Sequence, residues 1–197
     1  MNFLAHFYLS NEDPDWMTGN FFGDMMRKAE WSQLPPAIKQ GVLIHFEIDK
    51  FTDSHPLVKE LKSTLLKEQQ HFSGVVSDIF FDYFLAKYWS IYHTTPLPEF
   101  TKQVYSAIET NSEYFNKKAS MTFHYMKKNN WLERYQTIEG IDRILKGMSK
   151  RTTYTSNMAT ASIVLQKNEQ VIKNVFDEFF EELTQHIKQH VLYQPKY

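Results

Sequence analysis

Apolar side chains recur along this chain at three- and four-residue steps and rarely in strict alternation, so the pattern predicts helices and gives strands little support. The clearest stripe is Ile172, Val175, Phe176, Phe179, Phe180, Leu183 and Ile187, the buried face of one long C-terminal helix. The segment from Val75 to Trp89 is apolar nearly all round, which predicts a helix at the centre of the core. Other helices are announced by their starts. Pro35 and Pro36 precede Ile38, Val42 and Leu43, Ser54 stands ahead of Pro56, Val58, Leu61 and Leu65, and Pro98 precedes Phe100, Val104 and Ile108. Thr137 opens Ile138, Ile141, Ile144, Leu145 and Met148, and the polar run from Lys150 to Ser156 reads as a loop before the last helix. Usual helix lengths divide the chain into about seven to nine helices.

Composition narrows this to one all-α domain over residues 1–197, because 197 residues at 42% hydrophobic bury a substantial core unaided. Six glycines, seven prolines and no Asn-Gly or Asp-Gly pair leave hairpins unsupported. With no cysteine, disulfides and thiolate metal sites are excluded, and any metal must be held by His, Asp, Glu, water or backbone. The balance of 22 basic and 23 acidic residues argues against nucleic acid or a membrane surface as partner. The densest apolar stretch, Ile79 to Trp89, carries Asp82 and Lys87, so no membrane span is expected. Met1-Asn2-Phe3-Leu4-Ala5-His6 has none of the features of a secretory signal, and a cytoplasmic location is the expectation.

The densest cluster of possible ligands lies between Ile44 and Pro56, where His45, Asp49 and Asp53 follow at i, i+4 and i+8. On a helix these share roughly one face, so an imidazole and two carboxylates can converge on an ion or a phosphate, although a solvated polar face has the same spacing. Asp78 and Asp82 repeat the i, i+4 spacing inside the apolar helix, where an ionised carboxylate needs a cation, a salt-bridge partner or several hydrogen bonds. His6 lies among Phe3, Leu4, Phe7 and Leu9, as either a core histidine or a ligand. Asp24 follows Gly19-Asn20-Phe21-Phe22-Gly23, where the glycines fit either close backbone approach or tight helix packing. Arg143, Lys146 and Lys150 share a face, with Arg151 next to it, and such a group suits an acidic partner or a phosphate as well as plain solvent.

The N-terminal hexapeptide, Gly19 to Asp24, Pro35-Pro36-Ala37-Ile38, Gly41, His45, Ile48-Asp49, Thr52-Asp53 and His55-Pro56 together resemble, in order and spacing, the acyl carrier protein phosphodiesterases. Asp78 to Lys87, Asn130-Trp131-Leu132, Ile138 to Ile141 and Gly147 to Arg151 extend the likeness to about residue 151. The resemblance implies a divergent relative of the HD-domain phosphohydrolases, an all-helical enzyme whose His and Asp side chains bind a divalent metal. The implied reaction is hydrolysis of 4′-phosphopantetheine from holo-acyl carrier protein, with manganese indicated and magnesium as the alternative ion. By that resemblance Asp24, His45 and Asp82 are metal ligands, His6, Asp49, Asp53 and Asp78 catalytic groups, and Arg143, Lys146, Lys150 and Arg151 the partner- or phosphate-binding rim. The family pattern reads His-Arg where this chain has His45-Phe46, and Asp-His-Phe-Leu where it has Asp82-Tyr83-Phe84-Leu85. Loss of that cation and that imidazole keeps two other readings open: a helical binding protein that has lost the chemistry, and a hydrolase of another phosphoester.

Overall fold

The computed structural model describes residues 1–191, and among them every regular element is helical. Asn2 caps a short first helix, α1 (Phe3–Tyr8), by accepting from the Phe3 N–H at 2.9 Å. Asp13 accepts from the N–H groups of Asp15 and Trp16 at 3.0 and 3.1 Å and, with Pro14 in the first turn, starts α2 (Pro14–Gly23). The single turn α3 (Lys28–Trp31) leads to α4 (Pro36–Ser54), which opens on its predicted proline pair. An extended His55 ends α4, and Pro56 starts α5 (Pro56–Ser63) at once. A 3-10 segment, Lys67–Phe72, then feeds the central helix α6 (Ser73–Lys87).

The second half runs through α7 (Trp89–Tyr92), α8 (Leu97–Thr110), α9 (Lys117–Lys128), α10 (Trp131–Arg134) and α11 (Ile138–Ser149). The loop after residue 149 leads by a 3-10 turn into α12 (Ala161–Lys167), and Asn168 separates this from α13 (Glu169–Val191). The thirteen α-helices among the described residues exceed the seven to nine expected, and the excess lies in short pieces such as α3, α7 and α10, four residues each. A single turn shows no hydrophobic period, so spacing cannot reveal it. The apolar run before the C-terminus likewise divides into two helices where one was expected.

As its composition predicts, α6 is buried on almost every side, with Ile79, Phe80, Phe81, Phe84 and Leu85 fully enclosed. Against it lies the stripe of α13, where Phe176 and Phe179 stack on Phe84 and Phe81 at ring separations of 5.8 and 5.1 Å. On another side α2 and α4 meet backbone to backbone. A Cβ built on Gly19 would lie 2.0 Å from the Ile38 carbonyl oxygen, and one on Gly41 would lie 2.4 Å from that of Trp16. Close helix packing, the second of the two readings given for Gly19, is what that residue serves, and Gly41 meets it from α4.

Candidate functional site

The site forms where α1 crosses the face of α4. His45 and Asp49, one turn apart, meet through His45 Nε2 and Asp49 Oδ2 at 3.1 Å. His6 comes in from α1, stacking its ring on His45 at 4.2 Å and setting its Nε2 3.2 Å from Asp49 Oδ1. Both histidines are buried, while Asp49 keeps about 39% of its side-chain exposure and opens to a cavity. Gly23 makes the approach possible, since a Cβ there would lie 2.3 Å from the His45 ring. One turn-end further, Asp24 places an oxygen 3.6 Å from His45 Nε2 and stays largely exposed.

A chain of hydrogen bonds orients His6. The Ser10 hydroxyl donates to the His6 carbonyl, and so accepts from the Asn20 amide at 2.8 Å. That turns the Asn20 carbonyl oxygen toward His6 Nδ1 at 3.1 Å, assigning the ring proton to Nδ1. Burial, aided by the charge of His45, holds the His6 pKa below the usual imidazole value. The bare Nε2 of this neutral ring then faces two oxygens, Asp49 Oδ1 and the Met1 carbonyl, each at 3.2 Å. Three electron pairs converging on one point suit a cation.

Burial opposes a charge on His45, but the hydrogen bonds and charges of Asp24 and Asp49 outweigh it and raise the pKa to about 9. The hydrogen bond from His45 holds Asp49 far below the usual carboxylate range despite its burial. For Asp24, the hydrogen bond and charge of His45 outweigh its partial desolvation and lower its pKa. The ligand atoms of His6, His45 and Asp49 all lie within 4.8 Å of one another. Two imidazoles and a carboxylate are borderline-to-hard donors suited to manganese, zinc or iron, so the residues present fit a divalent ion.

The other residues named from sequence fall into three places. Asp78 lines the same cavity, 3.3 Å from the Met1 amino group, and its burial pushes its pKa up. Asp53 stands at the rim, largely exposed and paired to Lys62 at 3.0 Å. Asp82 stands apart, fully buried beneath α1, where its carboxylate accepts from the Leu4 and Ala5 N–H groups at 2.8 and 3.2 Å. Burial pushes its pKa to about 7 against those two bonds. It therefore anchors the helix that carries His6. Of the basic group, Arg143 and Arg151 line a larger neighbouring groove, Lys146 pairs with Asp142 at 2.6 Å, and Lys150 lines neither cavity.

Tyr83 turns away from the site and lines neither cavity. Its hydroxyl donates to Glu169 at 3.0 Å and accepts from Lys87 at 2.9 Å, joining α6 to the start of α13. Phe46 packs edge-on against His45 at 5.7 Å and beside Trp31 at 5.9 Å. Two participants were not singled out from sequence, Asn20 and Lys118. Lys118, on α9, is among the described residues the one lysine or arginine lining the His–Asp cavity of about 370 Å³, and donates to the Asp24 carbonyl at 2.5 Å. A lone lysine in a polar helix carries no spacing signal. Asn20 lay within a quoted motif, but only the fold joins it to His6.

Comparison with known proteins follows the same lines. The family described as acyl carrier protein phosphodiesterase matches residues 1–183. An acyl carrier protein phosphodiesterase of Yersinia pestis is 28% identical over 181 residues, covering 91% of this chain and 94% of its own. That of Enterobacter sp. (strain 638) is 31% identical over 152 residues, 77% of this chain and 79% of its own, and that of Serratia proteamaculans (strain 568) is 26% identical over 189 residues, 95% and 98%. No solved structure matches the chain, so the likeness to HD-domain enzymes rests on sequence resemblance alone.

Proposed function

The chain belongs to the acyl carrier protein phosphodiesterase family, and from that premise we propose that it hydrolyses the phosphodiester joining 4′-phosphopantetheine to the serine of holo-acyl carrier protein, dependent on a divalent metal. The observation that carries this reading is the convergence of His6 and His45 on Asp49, which lines the cavity. These three would hold the ion, with Asp24 beside them. When bound, such an ion supplies Lewis acidity toward a phosphoryl oxygen and toward water. Manganese is our first choice of ion and magnesium the second.

The chain's own residues account for the rest. Asn20 holds His6 in the tautomer whose Nε2 points at the cavity. Asp49 orients the His45 imidazole, and Asp82 fixes α1 so that His6 keeps its place. Asp78 is the better general base toward water, because its raised pKa makes it more basic than Asp24, which His45 holds low. Lys118 supplies positive charge at the cavity wall, the contribution expected of an arginine at 46 that Phe46 cannot make. Arg143 and Arg151, which line the neighbouring groove, would meet an acidic carrier protein.

Intact-protein mass spectrometry of holo-acyl carrier protein incubated with the chain, with and without manganese, tests this. We expect metal-dependent loss of the phosphopantetheine mass, absent in His45→Ala and Asp49→Asn. Retention of the prosthetic group under every divalent ion would sink the reading.

A further inference from the structure

Asn2, Phe3, Val75 and Met148 line the His–Asp cavity on one side and a groove of about 780 Å³ on the other. That volume is typical of small-molecule sites, which fall at about 300–1,000 Å³. The groove's chemistry differs from its neighbour's. Among the described residues no carboxylate lines it, its apolar surface comes from residues such as Phe72, Ile144 and Met158, and its polar groups include Asn129, Arg134 and Arg143. Among the described residues neither arginine has a carboxylate within salt-bridge distance. The walls therefore offer apolar surface interrupted by hydrogen-bond donors, beside a centre built for a phosphodiester.

A chain of methyl and methylene groups interrupted by amide carbonyls is complementary to such a surface. Resting on the phosphodiesterase reading above, we propose that this groove is the subsite for the pantetheine arm. The phosphate would lie in the cavity beside Asp49, and the arm would pass over the ridge of Phe3 and Met148. The gem-dimethyl and methylene segments meet the apolar wall, and the two amide carbonyls accept from Asn129 and the guanidinium groups. A nucleoside fits less well, since its ribose diol is ordinarily bound by an acidic side chain and the groove has none.

Gly147 provides a clean test. It lines the groove near the end of α11, its φ is not positive, and a Cβ built on it meets nothing within 4 Å. A side chain there projects into open space and favours the helix over glycine. Pantetheine, which carries the arm without the phosphodiester, should be titrated onto the full chain with binding followed by ligand-observed NMR. We expect binding by wild type and Gly147→Ala, and at least about tenfold weaker binding by Gly147→Phe and by Thr122→Trp, which fills the groove from α9. Absence of pantetheine binding to wild type, unchanged binding by both bulky variants, or displacement of pantetheine by equimolar adenosine would each overturn the assignment. A chain that binds pantetheine as described but fails to cleave holo-carrier protein would refute the phosphodiesterase reading and leave the subsite standing.

Discussion

At the residue scale, the two histidines of the cluster are held in opposite protonation states. His6 is kept neutral by burial, whereas His45 is raised to about 9 by Asp24 and Asp49. A ligating imidazole must give up its proton, so ion binding competes with protonation of His45. Between the ordinary histidine value and about 9 the folded protein holds this proton and the unfolded chain does not. The stabilisation it brings the ion-free protein is therefore full below about 6.5 and lost as pH rises through about 9. Ion affinity runs the other way: calorimetry should show it rising by up to about tenfold per pH unit until about 9, with about one proton released per ion. A pH-independent affinity would remove His45 from the ligand set.

Tyr83 gives a second expectation at this scale. It replaces the family's imidazole but faces Glu169 and Lys87, so it bears on stability and not on chemistry. Tyr83→Phe should cost about 1–3 kcal/mol in urea denaturation, because charged partners lose a hydrogen bond, while mass spectrometry shows phosphopantetheine release at the wild-type rate. A fall in rate at unchanged stability would contradict that placement. The pair His45 and Asp49 was legible because both sit one turn apart on one helix. That His6 completes the cluster came from family likeness, since its approach depends on how α1 crosses α4. The ligand role of Asp82 came from family likeness, its burial alone leaving a cation, a salt bridge or hydrogen bonds open, and here two helix N–H groups meet the carboxylate.

At the scale of elements, the strongest periodic signals correspond to the helices that make the core. The stripe from Ile172 to Ile187 and the all-round apolar segment of α6 meet through stacked phenylalanines. What periodicity could not convey is the contact of α2 with α4, because glycines contribute nothing to a hydrophobic pattern. Gly19→Ala should destabilise the protein by about 1–3 kcal/mol or more, read from the urea midpoint, since a methyl at 2.0 Å from a carbonyl forces the backbones apart. Gly23→Ala should displace the His45 ring and lower turnover more than stability, because the added atom presses on a side chain. Equal effects of the two substitutions on turnover and stability would count against this division.

At the scale of the whole molecule, an ion held by His6, His45 and Asp49 would join α1 to α4. It binds the folded chain and has no assembled site in the unfolded one, so at about 100 times its dissociation constant it should add about 2.7 kcal/mol. Calorimetric melting should move up by several degrees with manganese, return on chelation, and not move in Asp49→Asn. Among the described residues no helix is long and apolar enough to cross a membrane, in line with the sequence expectation.

The glycine contact between α2 and α4 also affects how the site meets its substrate. Asp24 ends one helix of the pair, and His45 and Asp49 lie along the other. With no side chains between the two backbones, the helices have little room to rotate or slide. The carboxylates and imidazole they carry are ordered when the chain folds, so that loss of conformational freedom is not incurred again when substrate arrives.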